Sequence, residues 1–227
     1  VLNVINKEAG VIPMPKDELN ASKWTLNLIE LDYASLQIDL DSVREQLTAG
    51  LDVNSIDEKG ISLLHKAVII GNIDLVKLLV ENGADLILCA RNAKKLNIVK
   101  KKLINLASKN QKIFCYKIDV SKEKDIESLF KKTKLRFKKI DILISNAGVY
   151  GPRGYLEDTN WNAWKKAFNT NFFGSVYLIK KFLKLLRKSK KGKIIQLSGG
   201  GATSPLAYFT SYASSKAAIV RFTETLG

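Results

Sequence analysis

Histidine is nearly absent: the 227-residue chain holds one, His65. That excludes His-rich zinc sites, so no metal centre is expected, and it disfavours a Ser-His-Asp hydrolase, whose base is an imidazole. Cysteine is scarce as well. Cys89 and Cys115 cannot build a disulfide framework, and both are expected to be reduced, buried thiols of a cytoplasmic protein. With four prolines and 14 glycines, collagen-like and low-complexity classes are excluded. No apolar run reaches the roughly 18 residues of a membrane-spanning helix, so no membrane association is expected. The opening VLNVINKEAG lacks a basic stretch followed by an apolar one, hence a signal peptide. Its first residue is Val rather than Met, which reads as a fragment or a processed chain.

What is there is an ordinary globular composition, 46% hydrophobic and 26% charged, of a size for one to two domains. The net charge of +15 is unevenly placed. Residues 1–85 carry 7 Lys and Arg against 14 Asp and Glu, whereas residues 86–227 carry 30 against 8. So abrupt a change of sign suggests two segments of different origin. The lysines are scattered along helical stretches such as KKTKLRFKK (131–139), where solvated faces explain them, and nucleic-acid binding is not expected.

Within the first segment, residues 57–86 give a turn at Gly60, a short helix from Ser62, a break at Gly71-Asn72, a second helix from Ile73 to Glu81 and a stop at Asn82-Gly83. Residues 41–56 end in Leu47, Gly50, Asp52, Val53 and Asn54. The two stretches resemble one and a half ankyrin repeats over 41–85, which implies a protein partner. About three repeats are needed for independent stability, so this segment is expected either to lean on something else or to have its missing repeats upstream. His65 reads as a turn-stabilising residue there, with no second His to share a metal. Residues 1–40 are unassigned, apart from alternation at Leu36, Ile38 and Leu40 that suits a short strand.

From residue 86 short apolar runs alternate with helical stretches. Strands are expected at Leu86–Ala90, 113–118, 140–145 and 193–198. Helices are expected to about Ala107, to about Phe137, from about Asp158 to Arg187, and from about Tyr208. That order means βαβ units and a parallel sheet, with ligands beyond the carboxyl ends of the strands. Arg91, Asp119, Asn146 and Ser198 stand at those ends.

Three further features carry chemistry. Tyr212 and Lys216 lie one helical turn apart and share a face, where an ammonium stabilises a phenolate and fits the pair for acid/base work near neutral pH. Asn171 falls on the apolar stripe of the long helix (Trp164, Phe168, Phe172, Ile179, Phe182, Leu186), where a buried amide is either a structural cross-link or a poised polar group. Ser198 closes a strand before Gly199-Gly200-Gly201, where its hydroxyl can donate to a carbonyl.

Together the stretches ADLILCARN (84–92), KIDV (117–120), DILISNAG (141–148), NTNFFG (169–174), GKIIQLS (192–198) and SYASSKAAIVRFTETL (211–226) resemble the short-chain dehydrogenase/reductase family. The resemblance implies hydride transfer between NAD(P)(H) and a carbonyl or secondary alcohol. It makes Tyr212 the acid/base and a cofactor-binding residue, Lys216 the residue that lowers its pKa and holds the nicotinamide ribose, Asn171 the anchor of a relay water, and Ser198 the guide of the substrate oxygen. Asp119 and Val120 would hold the adenine, Asn146, Ala147 and Gly148 would line the cofactor cleft, and Arg91 would favour NADP(H) over NAD(H). Homo-oligomers through the long helices are also implied.

The chain departs from that family in three ways. No T-G-x-x-x-G-x-G loop, which seats the pyrophosphate on a helix N-terminus, precedes residue 86. The ankyrin-like segment stands in its place, and Glu81 to Asp85 fits both patterns, through either a fusion or a join of two reading frames. Ser198 lies 14 residues before Tyr212, where the family interval of 13 lands on Gly199; an extra loop residue keeps the role with Ser198. The chain also stops at Gly227, short of the region that covers the substrate. The expected fold is thus α/β, a partial doubly wound Rossmann-like parallel sheet missing its first strand (86–227), behind an α-helical ankyrin-like segment. The expected function is a reductase with impaired cofactor binding. The alternative is a non-catalytic interaction protein carrying a relic reductase half.

Overall fold

The computed structural model describes a strand at Thr25–Ile29 and residues 80, 83–190 and 192–226. The ankyrin-like stretch, except for residue 80 and residues 83–85, and the strand expected near Leu36 lie outside the described residues. What is described falls into two units, one of residues 80–136 and one of residues 25–29 with 137–226.

The first unit is a βαβ element followed by a helix: β2 (Leu86–Ala90), α1 (Ala93–Ile104), β3 (Ile113–Lys117) and α2 (Glu123–Lys134). Helix α1 starts where Asn92 accepts a hydrogen bond from the Lys95 N–H at 3.0 Å, a cap for an otherwise unpaired donor. Its Leu96 and Leu103 are buried, seven residues apart on one face. Strands β2 and β3 run parallel with Leu86 opposite Ile113 and Leu88 opposite Cys115. Leu86, Leu88 and Ile113 then share a face and pack with Val80, Val99 and Leu103. On the other face the stacked Phe114 and Tyr116 lie under Arg136, whose guanidinium is 4.8 Å from the Phe114 ring. Helix α2 carries Glu123 and Asp125 in its first turn and Lys131, Lys132 and Lys134 in its last, which suits the helix dipole at both ends.

The second unit is built on β5 (Lys193–Leu197), every residue of which is buried. It pairs in parallel with β4 (Ile142–Ser145) on one side and with β1 (Thr25–Ile29) on the other. A chain of helix joins β4 to β5: α3 (Trp161–Phe168), a π-helical turn at Asn169–Phe173, and α4 (Gly174–Leu186). Helix α5 (Thr210–Leu226) closes the unit. Ile179, Phe182 and Leu186 of α4 and Ile194, Ile195 and Ile219 form the core around β5.

The strands expected from the sequence appear within a residue or two of their limits. The long helix is interrupted by a π turn that its apolar spacing did not announce. Among the described residues no strand pairs with the outer edge of β2 or of β4. The strand at Thr25–Ile29 was not foreseen, and it joins β5 on the side away from β4. One expectation is corrected: Cys89 is exposed rather than buried, because it points to the face of β2 opposite the one that packs against Val80 and Leu103.

Candidate active site

The π turn puts Asn171 into the interior of the second unit, 1% exposed. Such turns add a residue to one helical turn and redirect the side chains there. Asn171 Oδ1 accepts from the Val149 N–H at 2.8 Å. Its Nδ2 donates to the Val149 carbonyl at 2.9 Å and to Ser215 Oγ at 2.9 Å. Ser215 Oγ in turn donates to the Tyr212 carbonyl at 2.7 Å. One amide therefore ties the segment after β4 to the helix that carries Tyr212 and Lys216. Ser175 adds a second tie, donating to the Asn171 carbonyl at 3.0 Å while accepting from Ser145 at 2.8 Å. Replacing Asn171 with Ala strands two Val149 backbone groups and Ser215, and it is expected to cost about 2–4 kcal/mol. Urea unfolding of the variant checks this.

Lys216 is buried, and its Nζ donates to the Leu197 carbonyl at 2.6 Å. Burial pushes its pKa down from 10.5 to about 8. The ammonium is therefore mostly charged at pH 7 and is held against a desolvation cost. Between pH 8 and 10.5 the unfolded chain binds more protons at this residue than the folded one does, so stability rises with pH across that window and the cost is full below it. Lys216→Met removes the buried charge but leaves the Leu197 carbonyl unpaired, and a net gain of about 1–2 kcal/mol is expected at pH 7. The gain should shrink above pH 10, which unfolding curves at pH 7, 9 and 10.5 would reveal.

Gly148 lies beside both of these groups. A Cβ there would lie 3.6 Å from Asn171 Oδ1 and 3.6 Å from Lys216 Nζ. Asn146, Ala147 and Gly148 are exposed at the end of β4. Tyr212 is half-buried, with Lys216 Nζ 5.7 Å from its ring centroid. Its hydroxyl is seated on Gly199, where a Cβ would stand 2.1 Å from the phenolic oxygen and 3.0 Å from Cζ. Ser198 is adjacent in sequence, but its hydroxyl is buried and has no hydrogen-bond partner among the described residues.

The structure thus brings Asn171, Gly148, Tyr212 and Lys216 together. It sets Gly199 rather than Ser198 against the Tyr212 hydroxyl. Ser215 and the Val149 backbone were missed by the sequence reading; a second small polar residue inside YASSK, on the buried side of an amphipathic helix, was the available signal.

The first unit has a cleft of about 300 Å³ lined by Arg91, Lys117, Ile118, Asp119, Lys122 and Asp125. Val120 adjoins it without lining it. Asp119 Oδ1 accepts from Ser121 N at 3.0 Å and from Ser121 Oγ at 2.7 Å. Partial burial works against its ionisation, but these two bonds and the nearby Arg91 and Lys122 outweigh it and hold the carboxyl below its usual range. Among the described residues no cluster of His, Cys, Asp and Glu could hold a metal, and no helix is long and apolar enough to cross a membrane.

Residues 70–227 match the family of short chain dehydrogenases. An uncharacterised oxidoreductase of Schizosaccharomyces pombe is 35% identical over 153 residues, 67% of this chain and 49% of that protein. The 11-beta-hydroxysteroid dehydrogenase-like 3 protein of Arabidopsis thaliana is 37% identical over 146 residues, 64% of this chain and 46% of its own. The chain spans about half the length of these curated relatives. An uncharacterised oxidoreductase of Staphylococcus saprophyticus is 30% identical over 174 residues, 77% of this chain and 68% of that protein. Among solved structures, an alcohol dehydrogenase from the archaeon Thermococcus sibiricus, complexed with 5-hydroxy-NADP, superposes with a TM-score of 0.60 at 25% identity. That match covers 66% of this chain and 63% of the other.

Proposed function

The chain belongs to the short chain dehydrogenase family, and we propose that it transfers hydride between a nicotinamide dinucleotide and a carbonyl or secondary alcohol, with Tyr212 as the acid/base. The observation that carries this reading is the convergence of the Tyr212 helix face, the Lys216 ammonium and the Asn171 amide around Gly148.

In the reductive direction Tyr212 gives its phenolic proton to the carbonyl oxygen, and the charged Lys216 stabilises the phenolate left behind. Above pH 8 Lys216 loses that charge, so activity falls on the alkaline side. Asn171 fixes the loop after β4 relative to the Tyr212 helix, and in this reading it also anchors a relay water. Ser198 orients the substrate oxygen; a buried hydroxyl with no partner is the donor a ligand oxygen would satisfy.

Gly148 leaves room beside Lys216 and Asn171 for the nicotinamide ribose, with Asn146 and Ala147 beside it. In the first unit, Arg91, Lys117 and Lys122 suit a phosphate on the adenosine, with Asp119 and Val120 at the base, which favours NADP(H). When bound, the reduced nicotinamide supplies the hydride equivalent. The pyrophosphate has no glycine loop in the sequence to receive it, which supports impaired affinity. Losing two or three charge-assisted hydrogen bonds of that kind lowers affinity by about a hundredfold or more.

A second reading, an interaction protein with a relic reductase half, is favoured by that same missing loop and by the ankyrin-like residues 41–85. Titration with NADPH and NADH, followed through tryptophan fluorescence, separates the two. The first reading expects weak but saturable binding, tighter for NADPH. Micromolar NADPH affinity would remove the impairment, and no binding even at millimolar concentration would favour the relic.

A further inference from the structure

We propose that the Tyr212 site takes an aromatic carbonyl compound carrying an acidic substituent, a specificity that rests on Tyr212 being the residue that protonates the carbonyl. Two loops flank Tyr212, one after β4 and one before α5, and each presents aromatic rings. The Tyr150 ring lies 4.9 Å from the Tyr212 ring and is tilted by 37°. Phe209 follows at 5.7 Å from Tyr150. Tyr155 and Tyr208 meet edge to face at 5.3 Å, and the Gly154 N–H donates to the Tyr208 carbonyl at 3.0 Å, joining the two loops.

Tyr150 is 64% exposed, Tyr155 61% and Tyr208 44%. Tyr208 is moreover held at φ 66, a left-handed backbone conformation that side-chain-bearing residues rarely adopt. Exposed aromatic area next to an acid/base, kept in place by strained backbone, is a surface for a flat π-system. At its edge Arg153 places its guanidinium 5.6 Å from the Phe209 ring. No carboxylate among the described residues pairs with Arg153, which leaves its N–H groups for an anion on the substrate.

The test is binding, read without cofactor. The chain is titrated with 4-acetylbenzoate, acetophenone and 4-acetylcyclohexanecarboxylate by ligand-observed saturation-transfer NMR. 4-Acetylbenzoate is expected to bind about tenfold more tightly than its saturated analogue, a difference that Tyr150→Leu erases and Tyr150→Phe retains. It should also bind more tightly than acetophenone, a difference that Arg153→Met erases. Equal affinity for the aromatic and saturated acids, survival of the preference in Tyr150→Leu, or no binding of any of the three overturns the proposal. Parallel NADPH oxidation keeps the two readings apart. Ring-selective binding without turnover at millimolar NADPH overturns the oxidoreductase reading and leaves only the aromatic binding surface; turnover of aryl and alkyl ketones alike does the reverse.

Discussion

Tyr212→Phe is expected to lower carbonyl reduction by at least about a thousandfold while leaving the fold unchanged. The substitution removes one oxygen. The ring keeps its contact with Tyr150, and the Lys216 to Leu197 hydrogen bond is untouched. Lost activity at constant stability would thus report the proton and not the packing. At saturating NADPH the loss should appear in kcat. A residue that merely positioned the substrate would instead raise KM. Steady-state rates of wild type and variant at saturating NADPH, with unfolding curves beside them, decide the point.

Gly199→Ala should also be damaging although it adds only a methyl group. The new carbon would stand 2.1 Å from the Tyr212 oxygen and 3.0 Å from Cζ, so the whole ring must swing away. A displacement of about 1 Å at a reacting atom costs on the order of a hundredfold in rate. The accompanying strain is about 1–3 kcal/mol. Gly200 is the control: nothing lies within 4 Å of a Cβ there, and Gly200→Ala should leave rate and stability alone. Combining Gly199→Ala with Tyr212→Phe removes the oxygen that clashes, so much of the lost stability should return although activity does not. Had Gly199 stood in open space like Gly200, both alanine variants would behave alike. If Gly199→Ala is active, the Tyr212 hydroxyl lies elsewhere and the site must be redrawn.

These two residues also mark where reading the sequence succeeds and where it stops. Tyr212 and Lys216 were legible because a helix puts residues four apart on one face wherever the helix itself is secure. The strands were legible because parallel strands buried on both faces are short continuous apolar runs, as β5 shows in full. Asn171 was legible as an anomaly on an apolar stripe, but its role as the tie between Val149 and Ser215 was not. The π turn that aims it breaks the 3.6-residue period on which such readings depend.

The choice between Ser198 and Gly199 turns on whether one residue is extra in the loop, and spacing alone leaves that open; the packing of the Tyr212 hydroxyl against Gly199 is a feature that counting does not reveal. The strand Thr25–Ile29 was missed because its partner, β5, is more than 160 residues away and nothing local demands the pairing. The missing glycine loop, by contrast, was plain from the sequence, since a phosphate cradle of backbone N–H groups needs its glycines in order.

The central claim is that this chain moves a hydride while Tyr212 moves a proton. The most direct measurement uses NADPH deuterated at the transferable C4 position, supplied at millimolar concentration with 4-acetylbenzoate, acetophenone and 2-octanone. Mass spectrometry of the products then locates the label. The account predicts an alcohol with deuterium on the carbinol carbon from wild type, and none above background from Tyr212→Phe. Unlabelled alcohol, no alcohol from any of the three ketones, or labelled alcohol at equal yield from Tyr212→Phe would contradict it.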